Sequence, residues 1–329
     1  MREALQDARL VLAEHDTRRV GIVIANTMGG IEYLIEQSQL LYERGPRSMS
    51  AYTAIAWLQV ANVGQISLLH GMQGYCKTPV NDTVGGLDAL GIAYRTIRRG
   101  GAEVIIAGGC EALLHPFVLY GMARSGNVVL GDDPNAYRPF DRRAAGFVLG
   151  EGAGICILEE YEHARQRGAP IYGEIIGYGQ TNDAHGLLDP SRIGTHYARA
   201  IRLALEEGDV HPEHIAYFSL DGRAVPTSDQ GEADALHRVF DTELQQLPIS
   251  VPRTMLGHSY AAAGAIDTIT ALLALQHDLI PPTINCEELD PHYGLNLVQK
   301  EARPLLGSTV LIGGRGLGGA NVVLAIKKA

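Results

Sequence analysis

AEVIIAGG, residues 102–109, is a short β-branched run that stops on two glycines. A run of this length with no polar alternation predicts a strand buried on both faces of a sheet. The glycine pair at its end lets another backbone come close. VGIVIANT (20–27) has the same form. GICILEEY (154–161), preceded by the glycine-rich turn GFVLGEGAG, supplies a third strand. Helix-like segments lie between them. They are residues 2–14, 31–44, 50 to about Gly64, and Thr83 to Arg98, where Gly100-Gly101 is the stop. Buried strands alternating with helices predict an α/β architecture with covered sheets.

The second half repeats the theme. EIIGYGQTND (174–183) and IAYFSLDG (215–222) read as strands, ISVPRT (249–254) as strand-like, and 195–207 as a helix. Residues 228–240 read as a helix with Ser228 or Asp229 as N-cap. A long helix over 261–279 is expected to end at Pro281-Pro282. STVLIGGRG (308–316) and NVVLAIKK (321–328) read as a closing hairpin. TVLIGGRGLGG (309–319) echoes AEVIIAGG, which points to an internal duplication. The expected halves are 1–162 and 163–329.

Composition narrows the function. The chain has 329 residues, 46% apolar and 19% charged, which is ordinary for a globular protein. No apolar run approaches the roughly 18 residues of a membrane helix, and the acidic start is unlike a signal peptide. A cytoplasmic protein with no membrane partner is expected. The net charge of −10 opposes binding to a phosphate backbone, so no nucleic-acid partner is expected. Cys76, Cys110, Cys156 and Cys286 form no CxxC pair, and no HExxH occurs, so no metal is indicated. Glycine is abundant, 39 residues against a usual share of about 7%. Its many doublets imply a crowded interior.

Three loops join a strand to a helix: KTPVNDTVGGLDAL (77–90), LDGRAVPTSDQGEA (220–233) and VPRTMLGHSYAAAGA (251–265). Ligands in α/β folds gather at the carboxyl ends of strands, where helix N-termini offer free N–H groups. Position 83, at the start of a glycine-rich helix, is the candidate nucleophile seat.

At these loops the chain resembles a family. YRPFDRRAAGFVLGEGAGICILEE (137–160), IRRGGAEVIIAGGCEA (97–112), VPRTMLGH (251–258) and GLGGAN (316–321) resemble the condensing enzymes of fatty-acid and polyketide synthesis, the elongating ketosynthases. The resemblance covers the chain from about residue 18. It implies a thiolase-like fold of two similar α/β halves, layered α-β-α-β-α. It also implies a further segment before VGIVIANT that carries a first strand. The N-terminal half is therefore expected to be one strand short. Either it is a shortened type, or a partner or other polypeptide covers the exposed edge.

The departures from the family matter most. Where the resemblance implies a nucleophilic cysteine, this chain has Thr83. Where it implies a first catalytic histidine in an HGT-like turn, the turn reads LDGRAVP and Asp221 stands there. The family's lysine falls on Arg253, and the second histidine survives as His258. Claisen condensation needs a thiolate to carry the acyl chain as a thioester, and a threonine hydroxyl is a poor substitute without a base. The two histidines stabilise an enolate that an aspartate would repel. No catalytic residue is therefore expected among Thr83, Asp221, Arg253 and His258.

Within the family, GPRSMSAYTAIAWLQVANVGQISLLHGM (45–72), VGGLDALGIAYRTIRRG (84–100) and DGRAVP resemble the chain-length factors, or β subunits, of type II polyketide ketosynthases. That subgroup often has glutamine where Thr83 stands. The resemblance implies a heterodimer with an active ketosynthase α subunit and a tunnel at the shared interface. The substrate would arrive on a phosphopantetheinyl acyl carrier protein, with no other cofactor. Ala51, Ala54 and Leu58 recur at i, i+3 and i+7, so they are expected on one helix face. The resemblance sets that face against the tunnel as a gate; a closely packed helix without a lumen is the other reading.

Other readings stay open. Thr83, His258 and Asp221 are the residue types of a hydroxyl–His–carboxylate triad, which would suggest a hydrolase or an acyltransferase; the rival function is a malonyl-ACP decarboxylase or an acyltransferase using Thr83 and His258. The plainer reading pairs Asp221 with Arg253 in a decayed pocket and leaves His258 as a structural hydrogen-bonder. A homodimeric relic that binds acyl chains is a third. Arg95, Arg98 and Arg99 could face the acidic carrier protein, although cations at a helix C-terminus are ordinary. GRGLGGA precedes a strand, so it lacks the helix N-terminus of a phosphate cradle.

Overall fold

The apolar runs form two mixed sheets in the computed structural model, which describes residues 1–188 and 190–329. In the first sheet β1 (Val20–Ala25) lies between β2 (Cys76–Lys77) and β3 (Val104–Glu111), parallel to both. Next to β3, antiparallel, runs β4 (Gly152–Glu159). The second sheet holds β5 (Gly173–Asn182), β6 (Tyr217–Ser219) and β7 (Ile249–Ser250). A separate pair, β8 (Leu279–Ile280) with β9 (Arg303–Pro304), lies apart. The hairpin of β10 (Thr309–Arg315) and β11 (Ala320–Lys328) completes the second sheet. Its order is β5-β11-β10-β6-β7; the first is β2-β1-β3-β4.

The helices, in chain order, are α1 (Arg2–Asp7), α2 (Ile31–Arg44), α3 (Thr53–Ala56), α4 (Ala61–His70) and α5 (Gly85–Arg98). They continue as α6 (Pro116–Ala123), α7 (Tyr161–Gln166), α8 (Thr195–Glu207), α9 (Pro226–Phe240) and α10 (Ala263–His277). Helices α5 and α10 form the middle layer. Leu87, Leu90 and Leu275 pack there between Ile105 of one sheet and Val310 and Ile312 of the other. Val63 and Leu10 cover the far face of the first sheet, over Ile22, Val104 and Ile106. Ile201 and Leu236 cover the far face of the second, over Leu311 and Val323. The layers thus run α-β-α-β-α. The middle layer is thin enough to require bare backbone: a Cβ on Gly86 would stand 2.6 Å from the Ala261 carbonyl oxygen.

Several expected boundaries move. The first helix stops at Asp7 rather than Glu14; Arg9 takes φ 50°, which turns Leu10 into the core. The helix expected over 50–64 is two helices, and the second runs on to His70. The loop after β1 causes the break. Gly30 N donates to Trp57 O (3.2 Å) and Gln59 Nε2 to Thr27 O (3.1 Å), pulling 57–60 out of helical register. Helix α9 begins at Pro226 after Val225, so neither Ser228 nor Asp229 is its N-cap. Proline suits the first helical position, and the Asp229 carboxylate instead accepts from Phe140 N at 2.9 Å. Helix α10 ends on Asp278 in a left-handed conformation, before the proline pair. ISVPRT is a two-residue strand followed by a 3₁₀ turn, Pro252–Met255.

Candidate functional site

Three loops converge at the carboxyl ends of β6, β7 and β10. Thr83 sits in a 3₁₀ turn, Asp82–Val84, that feeds α5. Asp221 follows β6, and Arg253 sits in the turn after β7. His258 lies on the stretch leading to α10, wholly buried. Three residues here hold strained backbone: Asp82, Ala224 and Tyr260 all have φ near +50°.

The cluster is a network of charges. The Asp221 carboxylate accepts from Arg253 Nη1 at 2.6 Å through one oxygen and from Arg223 Nε at 2.9 Å through the other. Arg253 turns its remaining donors to Asp267, with Nε at 3.0 Å from Oδ2. Both carboxylates and both guanidiniums are at most 2% exposed. Burial alone would raise the Asp221 pKa, but Arg253 and Arg223 outweigh it and hold the carboxyl well below the usual carboxylate range. Each charge is thereby matched, which is the condition for burying it.

His258 is a neutral imidazole. Burial, reinforced by Arg253, pushes its pKa down to about 4. Its Nε2 lies 2.9 Å from Arg253 Nη1 and 3.7 Å from Asp221 Oδ1. The Tyr260 N–H faces Nδ1 at 3.2 Å, and the Phe147 ring lies 4.8 Å away, centroid to centroid. A neutral ring has one acceptor nitrogen, so it satisfies one of these two donors at a time.

Arg223 decides the state of Thr83. Its Nη2 lies 2.6 Å from Thr83 Oγ1 and also donates to the Arg315 carbonyl oxygen. The Thr83 hydroxyl donates to that same carbonyl at 2.9 Å. Among the described residues these are the hydroxyl's hydrogen bonds, and His258 makes none with it. The four positions read from the sequence therefore meet in one cluster, but Thr83 joins it through Arg223. The sequence reading singled out neither Arg223 nor Asp267. The available signal was a charged residue within LDGRAVP, straight after a buried strand.

Glu232 of α9 supports the loop from below, accepting from Asp221 N and Gly222 N, each at 2.9 Å. Burial, with Asp221 beside it, pushes its carboxyl up to about 7.

The expected gate residues do not share a helix face. Ala51 precedes α3, Ala54 lies within it, and Leu58 lies in the bend before α4. Ala51 and Ala54 are exposed and Leu58 is half-buried. The bend drawn in by Gly30 and Gln59 breaks the expected spacing. Around them a broad apolar surface is open, including Ile55, Trp57 and Val60. Leu68 at 84% and Leu69 at 78% exposure on α4, and Phe117 at 70% on α6, are also exposed. Arg95 and Arg98 both pair with Glu207. No helix among the described residues is long and apolar enough to cross a membrane.

Comparison with known proteins gives a consistent result. Residues 1–164 match the family described as beta-ketoacyl synthase, N-terminal domain, and residues 172–287 match beta-ketoacyl synthase, C-terminal domain. The chain is 40% identical to the tetracenomycin polyketide synthase ketoacyl synthase beta subunit of Streptomyces glaucescens, over 99% of this chain and 79% of that protein. It is 39% identical to the actinorhodin polyketide putative beta-ketoacyl synthase 2 of Streptomyces coelicolor, with the same coverage. Among solved structures it resembles the ishigamide ketosynthase/chain length factor, with a TM-score of 0.92 at 30% identity over 99% of this chain and 79% of that one. It also resembles a type II polyketide synthase acyl-carrier protein complex with its ketosynthase bound to the hexaketide, with a TM-score of 0.94 at 30% identity over 99% and 82%.

Proposed function

This chain belongs to the beta-ketoacyl synthase family and has its thiolase-like fold, and on that premise we propose that it is a chain-length factor. In this reading it performs no condensation. It pairs with an active ketosynthase α subunit and walls the tunnel that sets the length of a polyketide or polyene chain. The chain arrives on the phosphopantetheine arm of an acyl carrier protein, and no further cofactor is needed.

One observation carries the reading: the proton of the Thr83 hydroxyl points at the Arg315 carbonyl, and Arg223 occupies the other side of the oxygen. A carbonyl cannot take the proton, so the hydroxyl lacks the adjacent base that activates a nucleophile. An ionised Asp221 stands where the family's first histidine would stabilise an enolate, and it would repel that charge. The same hydrogen bonds weigh against the decarboxylase or acyltransferase reading, in which His258 would have to serve Thr83. The open apolar surface of α3, α4 and α6 supports the partner. Exposed apolar side chains that gather into a patch mark an association surface.

The test is native mass spectrometry after co-expression with the ketosynthase encoded nearest to this chain. A one-to-one complex of unlike subunits is the expected result. A homodimer that ignores the ketosynthase would overturn the reading.

A further inference from the structure

Strand β1 stops pairing with β3 at Ala25, opposite Gly109. Two side chains take over where the backbone ladder ends. Asn26 Nδ2 donates to the Cys110 carbonyl oxygen at 3.1 Å, and Asn26 Oδ1 accepts from Gly29 N. Glu111, the last residue of β3, accepts from Thr27 N at 3.0 Å through one oxygen and from Met28 N at 3.1 Å through the other. Its side chain is buried. The nearby charge that acts on it is another acid, Asp82 of the turn before α5, which has Arg223 3.7 Å away. Tyr260, in the turn before α10, and Cys110 are the other titratable side chains beside it. Burial pushes the pKa of both up, so neither is charged near neutrality.

The loop that Glu111 holds in turn holds the bend between α3 and α4. Gly30 N donates to Trp57 O at 3.2 Å, and Gln59 Nε2 donates to Thr27 O at 3.1 Å. A Cβ on Gly29 would collide with the Trp57 carbonyl oxygen, and one on Gly30 with that of Ala56. The two backbones are therefore in direct contact. Helix α3 is only four residues long and cannot fix the bend by itself. Ile55, Trp57 and Val60, on and beside the bend, belong to the exposed apolar surface.

We propose that Glu111 is the positioning residue of the partner surface: its carboxylate fixes the loop 26–30, and that loop fixes the bend presenting Ile55, Trp57 and Val60. The role of the surface rests on the chain-length-factor reading; the positioning of the bend does not. An ionised carboxylate accepts from both amides at once, whereas a protonated one turns an oxygen into a donor. Burial pushes the Glu111 carboxyl up to about 7, against the pull of the backbone N–H groups. The bend should therefore loosen as pH falls through about 7.

Trp57 is the one tryptophan in the sequence, so its fluorescence reports on the bend. Emission of the purified chain is followed across neutral pH in wild type and in Glu111→Gln, whose amide accepts through one oxygen at every pH. The wild type should show a sigmoidal change with a midpoint of about 7, absent from the variant. Hydrogen exchange, corrected for its intrinsic pH dependence, should be about tenfold faster at Thr27 or Met28 in the variant. Exchange at Val322–Ile326, in the other sheet, should be unchanged. The affinity of the wild type for the ketosynthase should fall about tenfold from about pH 8 to about pH 6, and the variant should bind weakly at both. The same emission change in the variant, or unaltered exchange at both amides, would overturn the proposal. So would equal affinity of wild type and variant at the higher pH. Should the variant fail to fold, wild-type exchange at Thr27 and Met28 decides, and protection that does not fall below about pH 7 overturns it. A bend that titrates as expected in a chain that binds no ketosynthase at either pH would overturn the chain-length-factor reading and leave the positioning standing.

Discussion

Arg223 Nη2 lies 2.6 Å from Thr83 Oγ1, although the two residues are 140 positions apart in the chain. The guanidinium fills the ground beside the hydroxyl and ties it to Asp221, which accepts from the same side chain at 2.9 Å. The place of a nucleophile is thereby turned into part of a structural network.

Thr83→Ala follows directly. It removes one hydrogen bond, while Arg223 keeps Asp221 and the Arg315 carbonyl. A loss of about 1 kcal/mol in stability is expected. Product formation by the co-expressed pair should be unchanged. A drop in turnover of tenfold or more would give Thr83 a chemical role.

Asp221→Asn should be far more damaging, because it leaves two buried guanidiniums without their shared counter-ion. A cost of about 3–5 kcal/mol is expected in chemical denaturation. Adding Arg223→Leu should recover part of it, since one of the stranded charges is then gone. A double variant no more stable than the single one would show that Asp221 and Arg223 do not act together.

Acidity probes Glu232 and His258 in opposite senses. The Glu232 carboxyl is raised from 4.5 to about 7 in the fold, by burial and then Asp221. The folded state thus holds the extra proton, and the associated stability is lost as pH rises through about 7. His258 is lowered from 6.5 to about 4, by burial and then Arg253, so its contribution grows as pH rises over that window. Glu232→Gln removes only the first slope. The variant should gain on the wild type between pH 4.5 and 7, by up to about 3 kcal/mol. Urea denaturation at the two ends checks this; a difference that stays flat would contradict it.

Leu58→Trp tests the tunnel. Leu58 lies half-buried in the bend beside the open apolar surface, so added bulk there should narrow a lumen closed by a partner. Shorter products are expected from the co-expressed pair, with the subunits still associated. Unchanged lengths would remove Leu58 from any gate.

Ile55→Asp tests the surface itself. Ile55 is half exposed on α3, so a charge there should leave the isolated chain folded, with circular dichroism unchanged. It should abolish the complex with the ketosynthase, because the charge would lose its water in the interface. Retention of the complex would place the partner elsewhere.

The pattern of short aliphatic runs ending in glycine pairs was legible in the sequence because each strand is buried on both faces. Its hydrophobicity then needs no partner to be recognised. Val20–Ala25, Val104–Glu111 and Thr309–Arg315 all appear where such runs lie. The site loops follow β2, β6 and β7; Thr83 could be read from the start of a glycine-rich helix, whereas Asp221, Arg253 and His258 were placed by the resemblance to the family. Local pattern failed where a distant backbone decides the geometry. The break between α3 and α4 is imposed by Gly30 and Gln59, so helical spacing could not place Ala51, Ala54 and Leu58.

The sequence by itself determined that buried strands and helices alternate, a property of residue type and local order; its resemblance to the ketosynthases is what set a threonine and an aspartate where a thiol and an imidazole would be needed. Only the tertiary structure decided what the replaced residues do. The pairing of Asp221 with both Arg223 and Arg253 depends on three loops meeting within hydrogen-bond distance, and no local preference encodes that meeting. Buried charges must find partners or lose their charge, so the fold, rather than any single segment, settled which donor faces the Thr83 oxygen.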